Sequence, residues 1–132
     1  MPSVERPGAS SRPVYLDLPR IRLPVPGIVS ILHRISGALL FLVGIPLLLA
    51  GVGTSLASPE SFSQLRGAVS HPAAKFVLLG LAWAYIHHFC AGIRFLLLDV
   101  HKGIELAPAR RSSVVVLVVS LALTVVVGAR LW

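Results

Sequence analysis

Residues 35–59, ISGALLFLVGIPLLLAGVGTSLASP, contain no Asp, Glu, Lys or Arg over 25 consecutive positions. Residues 76–93 and 112–129 lack these four residue types over 18 positions each. A helix needs about 20 mainly apolar residues to cross the hydrocarbon core of a bilayer. The composition agrees, because 55% of the 132 residues are hydrophobic and only 13% are charged. The sequence therefore predicts an all-α integral membrane protein with three transmembrane helices.

Prolines indicate where the first helix begins. Residues 1–27 are expected to form a cytoplasmic N-terminal tail and an extended or short amphipathic lead-in. Pro19, Pro24 and Pro26 are predicted to block a helix there, because proline lacks the backbone N–H of a helix interior. We therefore expect the first span to begin near residue 28.

The remaining residues, 28–132, are predicted to form one membrane anchor domain. Pro46 falls inside the first span and is expected to kink it, which lipid tolerates when neighbouring groups satisfy the freed carbonyl. Residues 58–60, SPE, are typical of the start of a short surface helix. The predicted spans cover about 28–53, 72–98 and 113–131.

The basic residues of the chain indicate its orientation. Its net charge of +7 does not predict nucleic-acid binding, because the basic residues lie at the ends of spans and not among aromatic residues on one face. Connections rich in Lys and Arg remain in the cytoplasm. Only Arg66 and Lys75 lie in the first connection. The N-terminal tail and the second connection, both predicted to be cytoplasmic, carry Arg6, Arg12, Arg20, Arg22, Lys102, Arg110 and Arg111.

Four ionisable residues fall inside predicted spans: His33, Arg34, His87 and His88. Inserting a charged residue at the centre of a membrane helix costs about 2.5–3.5 kcal/mol of free energy even on lenient scales. Each of these residues is therefore a candidate for a functional role. Ser30 and Arg34 are four apart and share a helix face, whereas His33 lies about 100° round from Arg34. The first span therefore presents two neighbouring polar faces.

Small residues surround His88 on its predicted helix: Ala84, Ala91 and Gly92 lie three or four positions away. This lane of small side chains could accommodate a flat, bulky ligand. It could equally allow close helix packing, with His88 bonding across the interface. The residue types leave both interpretations open, while His87 faces elsewhere and is expected to be a structural hydrogen-bonding residue.

Depth in the bilayer suggests a cofactor. His88 lies about 15 Å from the end of its span, whereas Arg34 lies about 9 Å from the start of the first span. A haem ligated by His88 could direct its propionates towards His33 and Arg34, with the second axial ligand from another chain. Arg34 could alternatively extend to the interface without a ligand. Cys90, the single cysteine, provides no cysteine-based metal or redox site and is expected to be a small apolar filler.

Three segments together resemble a known family. RPVYLDLPRIRLP at 12–24, SILHRISG at 30–37 and HFCAGIRFLLLD at 88–99 resemble the cytochrome b subunit, the larger membrane anchor, of bacterial succinate dehydrogenase (respiratory complex II). The resemblance implies a multi-pass protein of the bacterial inner membrane. It also implies a two-chain helical bundle around haem b, to which the smaller anchor subunit contributes the second axial histidine.

The resemblance also assigns roles to individual residues. It implies that Ser30 and Arg34 belong to a quinone-binding pocket, that His33 and Arg34 contact the haem propionates, and that His88 is the axial ligand of the haem iron. No catalytic residue is implied. Many family members have histidine where this chain has Phe95, so no ionisable role is assigned there. Asp99 could assist proton entry to the pocket or be an exposed helix-end carboxylate.

The implied partners complete the enzyme. A flavoprotein subunit with FAD would oxidise succinate, and an iron–sulfur subunit would pass electrons to ubiquinone at the anchor, so this chain would not act on succinate by itself. Two alternatives remain: the anchor of a fumarate reductase or menaquinone-linked relative, and a non-redox membrane scaffold or assembly protein whose histidines only pack.

Overall fold

A computed structural model describes residues 22–132. This part of the chain contains no strand, and three of its helices are long and apolar enough to cross a membrane. The all-α membrane fold predicted from the sequence is thereby confirmed, while the predicted tail at residues 1–21 lies outside the described residues. The helices are α1 (Val25–Ala57), α2 (Pro59–Ser70), α3 (Pro72–Asp99) and α4 (Leu106–Leu131).

Helix α1 begins earlier than the sequence predicts. Pro24 is its N-cap residue and Pro26 lies in its first turn. The prediction that Pro26 blocks the helix is therefore wrong. The first N–H groups of any helix have no partner within that helix, so a proline there removes no hydrogen bond, and its fixed φ suits the helical conformation.

Pro46 affects α1 through a local change in helix type. The segment Leu40–Gly44 is π-helical, and α-helix resumes at Ile45. Proline provides no N–H, and its ring displaces the carbonyl four residues earlier. A wider π-helical turn beside it is one of the known ways in which a long helix absorbs such a disturbance.

Helix α2 has a well-defined start, as the sequence predicts. The Ser58 hydroxyl accepts from the Ser61 N–H at 3.1 Å, and the Ser61 hydroxyl accepts from the Ser58 N–H at 3.0 Å. Glu60 lies in the first turn, where its own backbone N–H and the Ser58 hydroxyl lower the pKa of its carboxyl. A carboxylate at this end is also stabilised by the helix dipole.

The three long helices contact one another pairwise, and most of the residues buried between them are small or polar. Because small residues let helix backbones approach closely, they are typical of membrane helix interfaces. Large apolar side chains of α1, α3 and α4 instead remain exposed, as expected of helices surrounded by lipid. The buried residues are Val29, Ser36, Ala84, His87, Ala91, Arg94, Ser113, Val116 and Ser120.

Candidate functional site around His33 and His88

The imidazole of His88 is held through its Nδ1 atom. Nδ1 lies 3.0 Å from the backbone carbonyl oxygen of His33 and 3.2 Å from the Ser36 hydroxyl. Because a carbonyl oxygen can only accept, Nδ1 carries the proton, and Nε2 of the neutral ring carries a lone pair. Within residues 22–132, Nε2 has no hydrogen-bond partner. Metal-ligating histidines usually have this arrangement, in which one nitrogen is fixed by a backbone carbonyl and the other binds the metal.

His33 and His88 lie against each other where α1 meets α3. Their ring centroids are 4.1 Å apart and the planes differ by 8°. Glycines on the opposite helices make room for both rings. A Cβ added to Gly37 would lie 2.8 Å from Cε1 of His88, and one added to Gly92 would lie 3.8 Å from Nε2 of His33. The fold thus brings together two of the residues that the sequence singles out.

Ser30 and Arg34 occupy the same segment of α1, one turn apart. Ser30 is half-buried and Arg34 is exposed. Arg34 follows His33 directly, so its side chain leaves the helix about 100° round from the imidazole of His33. An exposed guanidinium at this position is accessible to a ligand or partner that approaches α1 beside the stacked rings.

The lane of small residues around His88 is not open along its whole length. Ala84 and Ala91 have no exposed surface, because they pack against the neighbouring helices. Gly92 lies beside His33. Close helix packing therefore explains the two alanines, and a ligand of His88 must approach the ring at its Nε2 edge.

His87 points into the interior of the three-helix bundle. It is fully buried, its Nδ1 lies 3.4 Å from the Ser120 hydroxyl of α4, and its ring stacks on Trp83. These contacts place His87 between helices, and its role as a structural hydrogen-bonding residue stays a prediction. The two adjacent histidines therefore face different surroundings, and only His88 lies at the α1–α3 surface of the bundle.

Two residues of this site were not assigned a role from the sequence. Ser36 is almost fully buried, and its hydroxyl donates to the His33 carbonyl at 2.9 Å while also contacting His88. The sequence signal that could have pointed to Ser36 is its position three residues after His33, which places both residues on adjoining turns of α1. Phe95 packs on His33 with centroids 5.0 Å apart, and its ring lies 5.4 Å from Cζ of Arg94.

Comparison with known proteins identifies the family. The model of the succinate dehydrogenase/fumarate reductase transmembrane subunit matches residues 8–127. The succinate dehydrogenase cytochrome b556 subunit of Coxiella burnetii is 36% identical over 124 residues, which cover 93% of this chain and 98% of that protein. The subunit of the same name from Paracoccus denitrificans is 33% identical over 115 residues, covering 87% and 88% of the two chains. The chain belongs to the succinate dehydrogenase/fumarate reductase transmembrane subunit family.

Proposed function

We propose that this chain is the larger membrane anchor of a succinate:quinone oxidoreductase in the bacterial inner membrane, where it binds haem b and forms part of the quinone-reduction site. The observation that carries this proposal is the fixed Nδ1 of His88, which leaves the Nε2 lone pair for iron. The names of the two relatives, both cytochrome b556 subunits, support a haem b in this chain too.

The donor set suits a haem better than a bare metal ion. Within residues 22–132, no group of three or more His, Cys, Asp or Glu side chains could hold an ion. A haem supplies four ligands of its own and needs only axial ones from protein. His88 would provide one, and the smaller anchor subunit would provide the other. When bound, the haem would supply one-electron redox chemistry beside the quinone pocket.

His33 and Arg34 would hold the haem propionates. An imidazole N–H and a guanidinium are both donors to carboxylates, and charge-assisted bonds of this kind are roughly twice as strong as neutral ones. Both residues lie on α1, one next to the other, and His33 already contacts His88. The same short segment would therefore serve the iron ligand and the propionates.

Ser30 and Arg34 would bind the quinone. Reduction of a quinone to a quinol takes two electrons and two protons. The Ser30 hydroxyl would donate to a quinone carbonyl oxygen, and Arg34 would stabilise negative charge that develops there. Electrons would come from the iron–sulfur subunit and protons from water at the cytoplasmic surface, while succinate itself is oxidised on the flavoprotein.

The fumarate reductase or menaquinone-linked alternative remains within the same family, whose description covers both enzymes. Optical spectra of the purified complex separate the two: one haem b per complex supports the proposal, and two or none would favour the relative. Membership of the family favours a redox subunit over the non-redox scaffold.

Substitution of the two adjacent histidines tests the haem ligand. We expect His88→Ala to remove or strongly disturb the Soret absorbance of the purified complex, because it removes the imidazole that would bind the iron, whereas the neighbouring His33 would hold a propionate. His71→Ala, at the exposed start of α3, is the matched control. If the spectrum is unchanged in His88→Ala but lost in His87→Ala, the ligand is His87 and the proposed assignment to His88 is wrong.

Substitution of Arg34 tests the quinone pocket. Loss of one preorganised electrostatic group commonly lowers turnover by about 100-fold or more, so Arg34→Leu should depress succinate–quinone activity to this extent. Reduction of a soluble artificial acceptor should persist, because that reaction bypasses the anchor. Arg66→Leu on α2 is the control for loss of a surface charge. Survival of quinone activity in Arg34→Leu would exclude the pocket assignment.

A further inference from the structure

The interface between α3 and α4 contains a groove with a buried arginine at one end. Arg94 is only 5% exposed, although it is a charged residue within a membrane span. Its Nε donates to the Ser112 hydroxyl at 3.0 Å, and its Nη2 donates to the Ala109 carbonyl at 3.4 Å. Both acceptors are neutral. A buried cation is stable in a protein only when an anion or several hydrogen bonds compensate for its lost hydration.

The local acceptors cannot satisfy the whole guanidinium. An arginine has five N–H donors, of which these two bonds use two. The Ala109 carbonyl also accepts from the hydroxyls of Ser112 and Ser113, at 3.1 and 2.7 Å. Among buried side-chain nitrogens and oxygens of residues 22–132, only Nε2 of His87 lacks a partner. Nη1 of Arg94 makes no hydrogen bond within residues 22–132 and is not among those buried atoms, so this nitrogen keeps some exposed surface.

Beyond Arg94 the groove is apolar and of suitable size for a lipid chain. It has a volume of about 400 Å³, and Ile93, Leu97, Val115 and Val119 form its walls. Leu97 lies about 180° round α3 from His88. The groove is thus on the opposite flank of α3 from the stacked histidines, away from the surface at which a second anchor subunit would share the haem.

The position of Arg94 matches the boundary between lipid headgroups and acyl chains. Arg94 lies about 7.5 Å along the axis from the end of α3, and Ser112 about 9 Å from the start of α4. Further positive charges gather at the same end of the bundle, where juxtamembrane basic residues attract anionic lipids. These are Lys102, Arg110 and Arg111.

We propose that the α3–α4 groove binds one anionic phospholipid, whose phosphate accepts from Arg94 and whose acyl chain lies between Ile93, Leu97, Val115 and Val119. The phosphate would supply the anion that the guanidinium lacks within the described residues. A second groove between the same helices provides a contrast at their other ends. It has a volume of about 480 Å³, and its walls contain no buried arginine or other charged residue.

Native mass spectrometry of the assembled complex, with phosphatidylglycerol or phosphatidylcholine added in detergent, tests this site. We expect one phosphatidylglycerol to bind about fivefold or more tightly than phosphatidylcholine, the contribution of one basic residue at a membrane surface. Arg94→Gln should lower this preference by about fivefold, leaving only what Lys102, Arg110 and Arg111 contribute, and Arg94→Lys should retain most of it. The measured mass shows directly whether each variant still assembles.

A second variant tests the groove without altering the arginine. Val115→Phe should fill the groove and abolish retention of the lipid. Val118→Phe is the matched control, because Val115 and Val118 are 58% and 59% exposed but only Val115 lines the groove. Equal binding of the two lipids by the native complex, or unchanged retention in Val115→Phe, would overturn the proposal.

The other occupant to consider is a helix of a partner subunit. Photocrosslinking from a benzophenone side chain at position 115 distinguishes the two, since attachment to phospholipid supports the proposal and attachment to a subunit of the complex would refute it. Neither outcome depends on the haem or quinone content of the preparation, so this test stands apart from those of the proposed function.

Discussion

At the scale of single residues, Gly37 determines how closely the His88 imidazole approaches α1. An added Cβ would lie 2.8 Å from Cε1 of His88, which is inside any normal contact distance. Gly37→Ala should therefore displace the ring, at a cost of about 1–3 kcal/mol typical of overpacking. We expect the purified complex to lose haem absorbance or to show a shifted spectrum.

The same helix provides the control for this substitution. A Cβ added to Gly51 meets nothing within 4 Å, so Gly51→Ala adds the same methyl group to α1 without crowding a histidine. Its haem content should remain that of the native complex. Equal spectra for the two variants would show that the contact between Gly37 and His88 is not needed for haem binding.

At the scale of elements, α2 depends on its N-terminal cap. Ser58→Ala removes the acceptor of the Ser61 N–H, and the loss of a serine cap costs about 1 kcal/mol. Amide protection factors in the first turns of α2 should fall by about fivefold, as measured by hydrogen exchange of the complex. Ser63→Ala, on the exposed surface of the same helix, should leave them unchanged.

The same turn should respond to pH through Glu60. Its backbone N–H and the Ser58 hydroxyl lower the pKa of its carboxyl in the folded protein. The stabilisation is therefore fully present above the pKa of an unstructured glutamate, and it is lost as the pH falls through the lowered folded value. Protection factors in α2, corrected for intrinsic exchange, should decrease on acidification and lose this dependence in Glu60→Gln.

At the scale of the whole molecule, the distribution of basic residues predicts which end of the bundle faces the cytoplasm. The α3–α4 connection and the residues beside it carry Lys102, Arg110 and Arg111, against Arg66 and Lys75 between α1 and α3. Alkaline phosphatase, which is active only outside the cytoplasm, should be active when fused after Ser70 and inactive after Lys102. The reverse pattern would invert the orientation and place the quinone pocket at the outer surface.

Much of the architecture followed from local properties of the chain. Hydrophobic length predicted three membrane helices, and Ser58 with Pro59 predicted the start of α2. The error at Pro26 arose because a proline stops a helix or starts one according to its distance from the first turn. The distance of Pro26 from the first turn depends on which residue begins the helix, and the composition of the preceding segment did not indicate that residue.

The site was predictable to the level of residue type and helix face. Periodicity separated His87 from His88 by about 100°, but it did not determine which of them faces the interior. Packing decided this, because His87 contacts Ser120 on α4 whereas His88 contacts Ser36 and the His33 carbonyl on α1. Residues more than 30 positions apart in the chain meet in each case.

The sequence by itself determined that the chain has three membrane-spanning helices, because this depends on the length of its apolar segments. It also determined that the polar residues within the spans share a few helix faces, because this depends on the helical period. Only the tertiary structure decided the hydrogen bond from Nδ1 of His88 to the His33 carbonyl and the neutral surroundings of Arg94. Both result from the way α1 and α4 lie against α3. The rotation of each helix about its axis is set by contacts between distant segments, which no local pattern encodes.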